Sequence, residues 1–195
     1  MGQYRETRFL RNSVLPVEGG RIMKRICVVL AALLFLFPFF AGCEKKAVPQ
    51  TVKEYPMDNM EGVLTQTNVA FDTAVSNDGK GSLRIDAVSP TTVRLYEVKG
   101  MDVDDARLTY QAKLKTKDVE GRAFLEMWCV FAGKGEYFSR ALETAVTGTT
   151  DWVTQETPFF LKKGQKPDIV RLNVVVDGKG TVWIDDAKVI KGPRP

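Results

Sequence analysis

The sequence predicts an all-β domain over residues 57–192, built as an antiparallel sandwich or barrel. Apolar and polar residues alternate with a period of two in several short segments, as they do in strands with one buried face. Clusters of Gly, Asn, Asp and Pro separate these segments at near-regular intervals, which is typical of connections between antiparallel strands. No stretch after Cys43 carries an apolar stripe of helical period, so βαβ units are not expected.

The N-terminal part of the chain has the order of features found in a secretory signal peptide. Two basic residues precede an apolar run over residues 26–40, and the small pair Ala41-Gly42 comes directly before Cys43. This stretch resembles the signal of bacterial lipoproteins, whose cleavage motif ends in Ala-Gly-Cys, although Phe40 stands where that motif usually has Leu. The resemblance implies cleavage before Cys43, lipidation of its thiol and attachment of the mature chain to a membrane.

The length of the apolar run favours a signal peptide over an uncleaved anchor, because its 15 residues are fewer than the ~20 that a spanning helix needs. Residues 1–22 fit no signal, so we expect them to be an upstream extension, with translation starting at Met23 and a signal peptide over 23–42. Residues 43–56 are polar and lack a period, which predicts a lipidated N-terminus followed by a tether. Glu44 is not the Asp that retains lipoproteins at the inner membrane. The resemblance therefore implies the outer membrane, facing the periplasm, in a cell that has one.

The composition excludes several classes of function. The chain has 28 basic and 24 acidic residues, and removing residues 1–42 leaves 22 of each. Nucleic-acid binding relies on an excess of Lys and Arg, so it is not expected. The absence of histidine excludes Ser-His-Asp and Cys-His catalysis and the usual zinc sites. Paired carboxylates remain open in principle, but no segment presents such a pair beside an obvious pocket. We therefore expect a domain that is not an enzyme.

The strands of the domain are predicted from their alternation. Leu108, Tyr110, Ala112 and Leu114, for example, are apolar, and the residues between them are polar. The same pattern predicts strands at residues 82–87, 92–98, 108–114, 124–131 and 169–176. Turn-forming clusters separate them at residues 77–79, 133–135, 164–167 and 177–180.

Four motifs carry a resemblance to a known fold family. They are Asp-Asn-Met-Glu-Gly at 58–62, Gly-Lys-Gly-Ser-Leu at 79–83, Trp152, and the closing Gly-Thr-Val-Trp-Ile-Asp-Asp at 180–186. Their order resembles that of the galactose-binding-like jelly rolls, a family to which many carbohydrate-binding modules of polysaccharide-degrading enzymes belong. The resemblance implies an antiparallel jelly-roll β-sandwich over residues 57–192.

The same resemblance implies a structural calcium ion that ties the start of the domain to its last strand. Calcium prefers oxygen ligands, and the matching positions in this chain are Glu61, Ser82, Asp185 and Asp186. The alternative is that the two aspartates merely end a strand at a solvated edge without metal.

A candidate binding surface comes from counting faces along residues 124–131. Leu125, Met127, Cys129 and Phe131 form an apolar face that belongs in the core, with Cys129 as a buried thiol. The opposite face combines an aromatic ring with polar groups, the composition that sugar sites use. The predicted ligand-binding residues are Glu126, Trp128, Arg140 and Asn173, with Thr109, Gln111 and Arg171 expected on the same face. The alternative is an ordinary outer face with a Glu–Arg cross-strand pair.

Two functions of different class remain open. The first is a membrane-anchored envelope lipoprotein whose noncatalytic domain holds a glycan. The second is a structural or assembly module of the cell envelope, in which the same face contacts a partner protein. Retention on immobilised glycans that is lost with Trp128→Ala would favour the first, and loss of a protein partner in a pull-down, with no glycan retention, would favour the second.

Overall fold

The computed structural model describes residues 48–195, and these residues contain eight strands and no helix. The predicted all-β class is therefore confirmed. The strands are β1 (Gln50–Tyr55), β2 (Val69–Asp72), β3 (Ser82–Ala87), β4 (Thr91–Lys99), β5 (Ala106–Phe131), β6 (Gly135–Arg140), β7 (Val146–Leu161) and β8 (Ile169–Gly192). The predicted signal peptide and Cys43 lie outside the described residues. Within residues 48–195 there is no helix of the length and hydropathy needed to cross a membrane.

Two long central strands, β5 and β8, organise the sandwich. They pair antiparallel along most of their length, from Arg107 opposite Gly192 to Val130 opposite Ile169. All eight strands belong to one continuous hydrogen-bonded sheet, and we call its two parts the first and the second sheet. In the first sheet, the N-terminal half of β5 and the C-terminal half of β8 are joined by β1, β2, β3 and β7. The other two halves form a second sheet with β4 and β6. All strand pairs are antiparallel, as expected for a jelly-roll sandwich.

Both long strands pass from one sheet to the other at a bend where two glycines meet. Gly121 lies opposite Gly178, and a Cβ atom on Gly178 would lie 1.8 Å from the carbonyl oxygen of Glu120. A Cβ atom on Gly121 would lie 2.0 Å from the carbonyl oxygen of Asp177, so only glycine fits at either position. The prediction of a turn at residues 177–180 was wrong. The strand continues through this segment because its glycines allow a sharp bend with the pairing kept.

The inward faces of the two sheets form one core. Leu125, Met127 and Cys129 of β5 are completely buried, which confirms the predicted inward face of this strand. Each large apolar side chain buried in this way stabilises the fold by roughly 1.5–3 kcal/mol. Burial also raises the pKa of the Cys129 thiol to about 12. This thiol therefore stays protonated and serves as a small apolar side chain.

The sheet begins earlier in the chain than the sequence predicted. Gln50–Tyr55, expected to lie in the tether, form β1 and pair with the end of β8, from Gln50 opposite Lys191 to Tyr55 opposite Ala187. Four of the six side chains are exposed and none is fully buried, because β1 lies at the edge of the first sheet. Such a strand has no apolar alternation to read, which is why its sequence looks like a polar linker.

Candidate functional site

One row of side chains crosses the outward face of the second sheet. Arg94 on β4 lies opposite Asn173 on β8, Asn173 lies opposite Glu126 on β5, and Glu126 lies opposite Arg140 on β6. Side chains in register on neighbouring strands are close enough to interact. The structure therefore brings together Glu126, Arg140 and Asn173, which the sequence assigned to one site.

Glu126 is the centre of this row. Its Oε1 atom accepts hydrogen bonds from Trp128 Nε1 at 2.7 Å and Asn173 Nδ2 at 2.9 Å, and its Oε2 atom accepts one from Arg140 Nε at 2.6 Å. The residue is only 3% exposed. Burial raises the pKa of Glu126, but the hydrogen bonds from Asn173, Trp128 and Arg140 outweigh burial and leave this pKa below its ordinary value. The carboxylate is therefore ionised at neutral pH and fixes the other three predicted residues in place.

A second row beside the first carries the aromatic side chains. It runs from Glu97 through Arg171 and Trp128 to Phe138, again in register across β4, β8, β5 and β6. The ring centroids of Trp128 and Phe138 are 4.9 Å apart, with the rings tilted by 48°. The guanidinium of Arg140 lies 4.4 Å from the centroid of Phe138, and Phe138 remains 50% exposed. We call the surface that carries these two rows the cleft face.

Phe138 belongs to the cleft face but was not predicted from the sequence. The segment Tyr137-Phe138 looks like an apolar pair, which does not show which ring faces outward. Alternation could have found it, because Phe138 lies two residues from Arg140 and must share its face. Tyr137 points to the other side of β6, where its ring contacts Phe131 edge-on at 6.0 Å.

The cleft face contains a depression of about 420 Å³, within the size range of small-ligand sites. Its lining mixes one aromatic ring with charged and polar groups. The lining residues are Thr92, Arg94, Glu126, Trp128, Glu136, Arg140, Arg171 and Asn173.

Ion pairs hold the carboxylates of the cleft face. Arg171 Nε donates to Glu97 Oε1 at 3.1 Å, and Arg171 Nη1 donates to Glu136 Oε2 at 2.9 Å. The hydrogen bond to Glu136 is the largest of the effects that raise the pKa of Arg171. Glu126 is held by Arg140 in the same way. These carboxylates act as acceptors for neighbouring arginines, an arrangement suited to binding rather than to proton transfer.

Thr109 and Gln111 do not belong to the cleft face, so this part of the expectation was wrong. Both lie in the N-terminal half of β5, in the first sheet, where Gln111 donates to Glu156 at 3.2 Å. The sequence suggested two separate strands before and after residue 120. In the structure one continuous strand carries its two halves into opposite sheets.

A larger cavity of about 650 Å³ lies between the segment after β1 and the end of β4. Its aromatic side chains have little open surface. The ring of Tyr55 stacks on Tyr96 with centroids 3.8 Å apart, and Lys53 Nζ lies 5.4 Å from the centroid of Tyr55. This cavity contains none of the four predicted ligand-binding residues.

The predicted calcium positions fall near a group of three carboxylates. Single carboxylate oxygens of Asp58, Asp78 and Asp185 lie within 4.8 Å of one another. Asp185 is completely buried, and Asp58 Oδ1 is buried without a hydrogen-bond partner among residues 48–195. An unpaired buried oxygen beside two further carboxylates fits the ligand preference of calcium. Lys80 Nζ, 3.0 Å from Asp78 and 4.0 Å from Asp58, offsets part of this negative charge.

Of the predicted set, Asp185 is the residue found in this group. The Ser82 hydroxyl donates to the carbonyl oxygen of Val75 at 2.7 Å, and Asp186 Oδ2 accepts from Asn77 Nδ2 at 2.9 Å. Glu61 lies in the exposed segment after β1. Desolvation raises the pKa of Asp185, although backbone N–H groups of Asn77 and Asp186 oppose the rise. A cation at this position would offset that desolvation cost.

No protein-family model matches the chain, and no curated protein matches it. Several solved structures match the chain in fold. The CBM22-1 xylan-binding domain from Paenibacillus barcinonensis aligns with a TM-score of 0.54 and 12% identity, covering 76% of this chain and 98% of that domain. The chain has the jelly-roll fold of carbohydrate-binding modules. The CBM22-1–GH10 modules of the Clostridium thermocellum endo-1,4-beta-D-xylanase 10B, in complex with xylohexaose, align with a TM-score of 0.50 and 15% identity, covering 76% of this chain and 29% of that one.

Proposed function

We propose that this chain is a lipid-anchored envelope protein whose sandwich domain binds a carbohydrate on the cleft face without acting on it. One observation carries the proposal. The Trp128–Phe138 aromatic pair, with centroids 4.9 Å apart, lies beside a row of fixed hydrogen-bonding side chains on one open sheet face. Aromatic rings pack against the apolar faces of sugar rings, and the neighbouring polar groups bind their hydroxyls.

The fold supports the same proposal. Xylan-binding domains have this jelly roll, and they bind polysaccharide without cleaving it. The carboxylates of the cleft face also suit a binding site better than the active site of a hydrolase. Glu126, Glu97 and Glu136 are each held by an arginine, whereas glycoside hydrolysis requires a carboxylic acid that can give up a proton beside the scissile bond.

The membrane attachment rests on the sequence alone. Ala41-Gly42-Cys43 after an apolar run supports lipidation of Cys43, and Glu44 supports the outer membrane in a cell with two membranes. Multiple acyl chains on one N-terminus would give stable anchoring, since each buried CH₂ contributes ~0.8 kcal/mol. The domain would then hold an envelope or extracellular glycan close to the cell surface.

Affinity electrophoresis through gels containing soluble polysaccharides tests carbohydrate binding, using the whole chain in detergent. Retention by at least one polysaccharide is expected, and Trp128→Ala and Phe138→Ala should each reduce it about tenfold or more. Tyr137→Ala is the matched control, because Tyr137 is 54% exposed on the same strand but faces away from Trp128. Equal retention of all three variants and wild type would place the site elsewhere.

A protein-binding assembly module is the second candidate. The observation in its favour is the pair Tyr137 and Phe138, both about half exposed on β6, a strand that pairs with β5 alone. Exposed aromatic side chains at a sheet edge are also typical of protein interfaces. Capture of an envelope protein that depends on Phe138, without polysaccharide retention, would favour this second function.

A further inference from the structure

The distribution of charge over the cleft face identifies one unmatched cation. The face holds Glu97, Glu126 and Glu136 together with Arg94, Arg140 and Arg171. Arg140 pairs with Glu126, and Arg171 pairs with both Glu97 and Glu136. Among residues 48–195, no carboxylate lies within ion-pair distance of Arg94. The face is therefore polarised, with positive charge at the Arg94 end and an excess of negative charge around Arg171.

An unpaired acceptor lies next to this cation. Asn173, directly opposite Arg94 in the sheet, is 3% exposed and donates its Nδ2 hydrogen to Glu126. Its Oδ1 atom has no hydrogen-bond partner among the described residues. A buried amide oxygen without a donor costs stability unless something supplies one. The Arg94 end of the row thus presents a free cation and an unsatisfied acceptor side by side.

We infer that the ligand of the cleft face is an acidic saccharide, a glycan that carries hexuronic-acid residues, and that Arg94 binds its carboxylate. This inference rests on the proposed carbohydrate-binding function. Arginine matches the planar geometry of a carboxylate with two parallel hydrogen bonds.

The layout of the two rows fixes how such a ligand lies. Arg94 is on β4 and Trp128 is on β5, with β8 between them, and the two residues lie in different rows. Their backbones are therefore roughly 12 Å apart, because two strand spacings of about 4.8 Å combine with an offset of two residues at about 3.3 Å each along the strand. That distance exceeds one sugar ring. The acidic residue is therefore a neighbour of the ring stacked on Trp128, and its carboxylate points away from Glu136 toward Arg94.

A second arginine of residues 48–195 provides a control for Arg94. Arg107, the other guanidinium without an acidic partner among residues 48–195, lies in the first sheet opposite Gly192 and Phe160, away from the cleft face. It provides the matched control, because Arg107→Gln removes the same charge from an exposed strand position. Arg94→Lys keeps the charge but loses the paired hydrogen-bond geometry.

The test compares acidic polysaccharides with the same polymers after their carboxyl groups have been reduced to primary alcohols. Glucuronoxylan, polygalacturonate and alginate serve as probes in affinity electrophoresis of the whole chain in detergent. We expect at least one acidic polymer to bind about tenfold more tightly than its reduced form. Arg94→Gln should remove that preference, so that the acidic polymer and its reduced form are retained equally. Arg94→Lys should keep part of it, and Arg107→Gln should behave as wild type.

Three results would overturn the inference. If acidic and reduced forms bind equally well, the ligand is a neutral glycan and the proposed function survives without it. If Arg107→Gln weakens binding as much as Arg94→Gln, the preference is general charge attraction, which salt would screen. If a folded chain retains none of the polymers in either form, both the inference and the proposed function fail. Thermal unfolding of each variant confirms that the comparison is between folded proteins.

Discussion

Glu126 and Arg140 lie directly opposite each other on β5 and β6, and Arg140 Nε donates to the Glu126 carboxylate at 2.6 Å. The two partners differ in environment, since the Glu126 side chain is 4% exposed and that of Arg140 is 38% exposed. The carboxylate is thus shielded from solvent and hydrogen-bonded within the protein, whereas the guanidinium is partly exposed to solvent. Glu126 orders the cleft face by holding Arg140, Trp128 and Asn173 in place.

Glu126→Gln should destabilise the domain at neutral pH by about 1.5–3 kcal/mol, the range for a hydrogen bond to a charged group. The folded-state pKa of Glu126 is lowered, so its stabilisation is complete above the unfolded value of about 4.3 and is lost as pH falls through the lower folded value. Urea unfolding at several pH values measures this. If the difference in the free energy of unfolding between wild type and Glu126→Gln stays constant down to pH 2, this prediction is contradicted. The exposed Glu143→Gln is the control.

Adjacent truncations on β5 should have opposite effects. Met127→Ala should cost about 2–5 kcal/mol, because Met127 is completely buried and its removal leaves a cavity. Trp128→Ala should cost less than the ~3–5 kcal/mol of a fully buried Trp, since Trp128 is only partly buried, but should reduce polysaccharide retention. Chemical denaturation and affinity electrophoresis measure the two effects. If Met127→Ala loses polysaccharide binding while the chain is still folded, the assignment of the two faces of β5 is contradicted.

The alternation along β5 and the all-β class could be predicted from the sequence because burial imposes a period of two on a strand between core and solvent. Glu126, Arg140 and Asn173 were grouped correctly for that reason, as the hydrogen bonds to Glu126 show. Phe138 was not predicted because an apolar residue is normally assigned to the core, although its spacing of two from Arg140 places it on the outward face. Functional residues are where such exceptions are expected.

The limits of the fold prediction have a different physical origin. Gly178 looks like part of a turn, because local sequence does not reveal that another backbone passes 1.8 Å from its missing Cβ. Asp58 and Asp78 were not chosen as metal ligands because they come from separate loops that only the closed sandwich brings beside Asp185. Long-range juxtapositions of this kind leave no periodic signal.

Calcium should raise the melting temperature of the whole chain. A free concentration a hundredfold above Kd would add about 2.7 kcal/mol to the free energy of unfolding, which corresponds to several degrees. Asp58→Asn should abolish the shift while costing little stability without calcium, because Asp58 Oδ1 has no partner among the described residues. Asp151→Asn, an exposed carboxylate paired with Lys115, is the control. A wild-type melting curve that chelator leaves unmoved would rule the metal out.

Gly178→Ala should destabilise the domain more than Gly133→Ala. Both glycines have positive φ, 151° and 69°, so both substitutions strain the backbone. A Cβ on Gly133 meets nothing within 4 Å, whereas one on Gly178 collides with the Glu120 carbonyl oxygen. We expect an additional loss of about 1–3 kcal/mol at Gly178, as in other overpacked sites. Equal melting temperatures for the two variants would show that the bend can relax.

Cys43→Ser should abolish partition of the protein into membranes, because the thiol is the predicted site of lipid attachment. Phase separation in a detergent such as Triton X-114, after expression in a host that processes lipoproteins, measures this. Cys27→Ser, within the apolar run, is the control and should leave partition unchanged. Equal partition of Cys43→Ser and wild type into the detergent phase would reject lipidation at this cysteine.

The position of β8 sets the order in which the molecule can fold. This strand pairs with β1, β3, β4 and β5, yet it comes last in order among the strands of residues 48–195. Until residues 169–192 have left the ribosome, two of those strands, β1 and β4, have no neighbour on which to form hydrogen bonds. The sandwich therefore stays open until these residues have been made, and its collapse depends on contacts between distant parts of the chain, which form slowly. A polypeptide that remains unfolded during synthesis is also one that a translocation pore can thread.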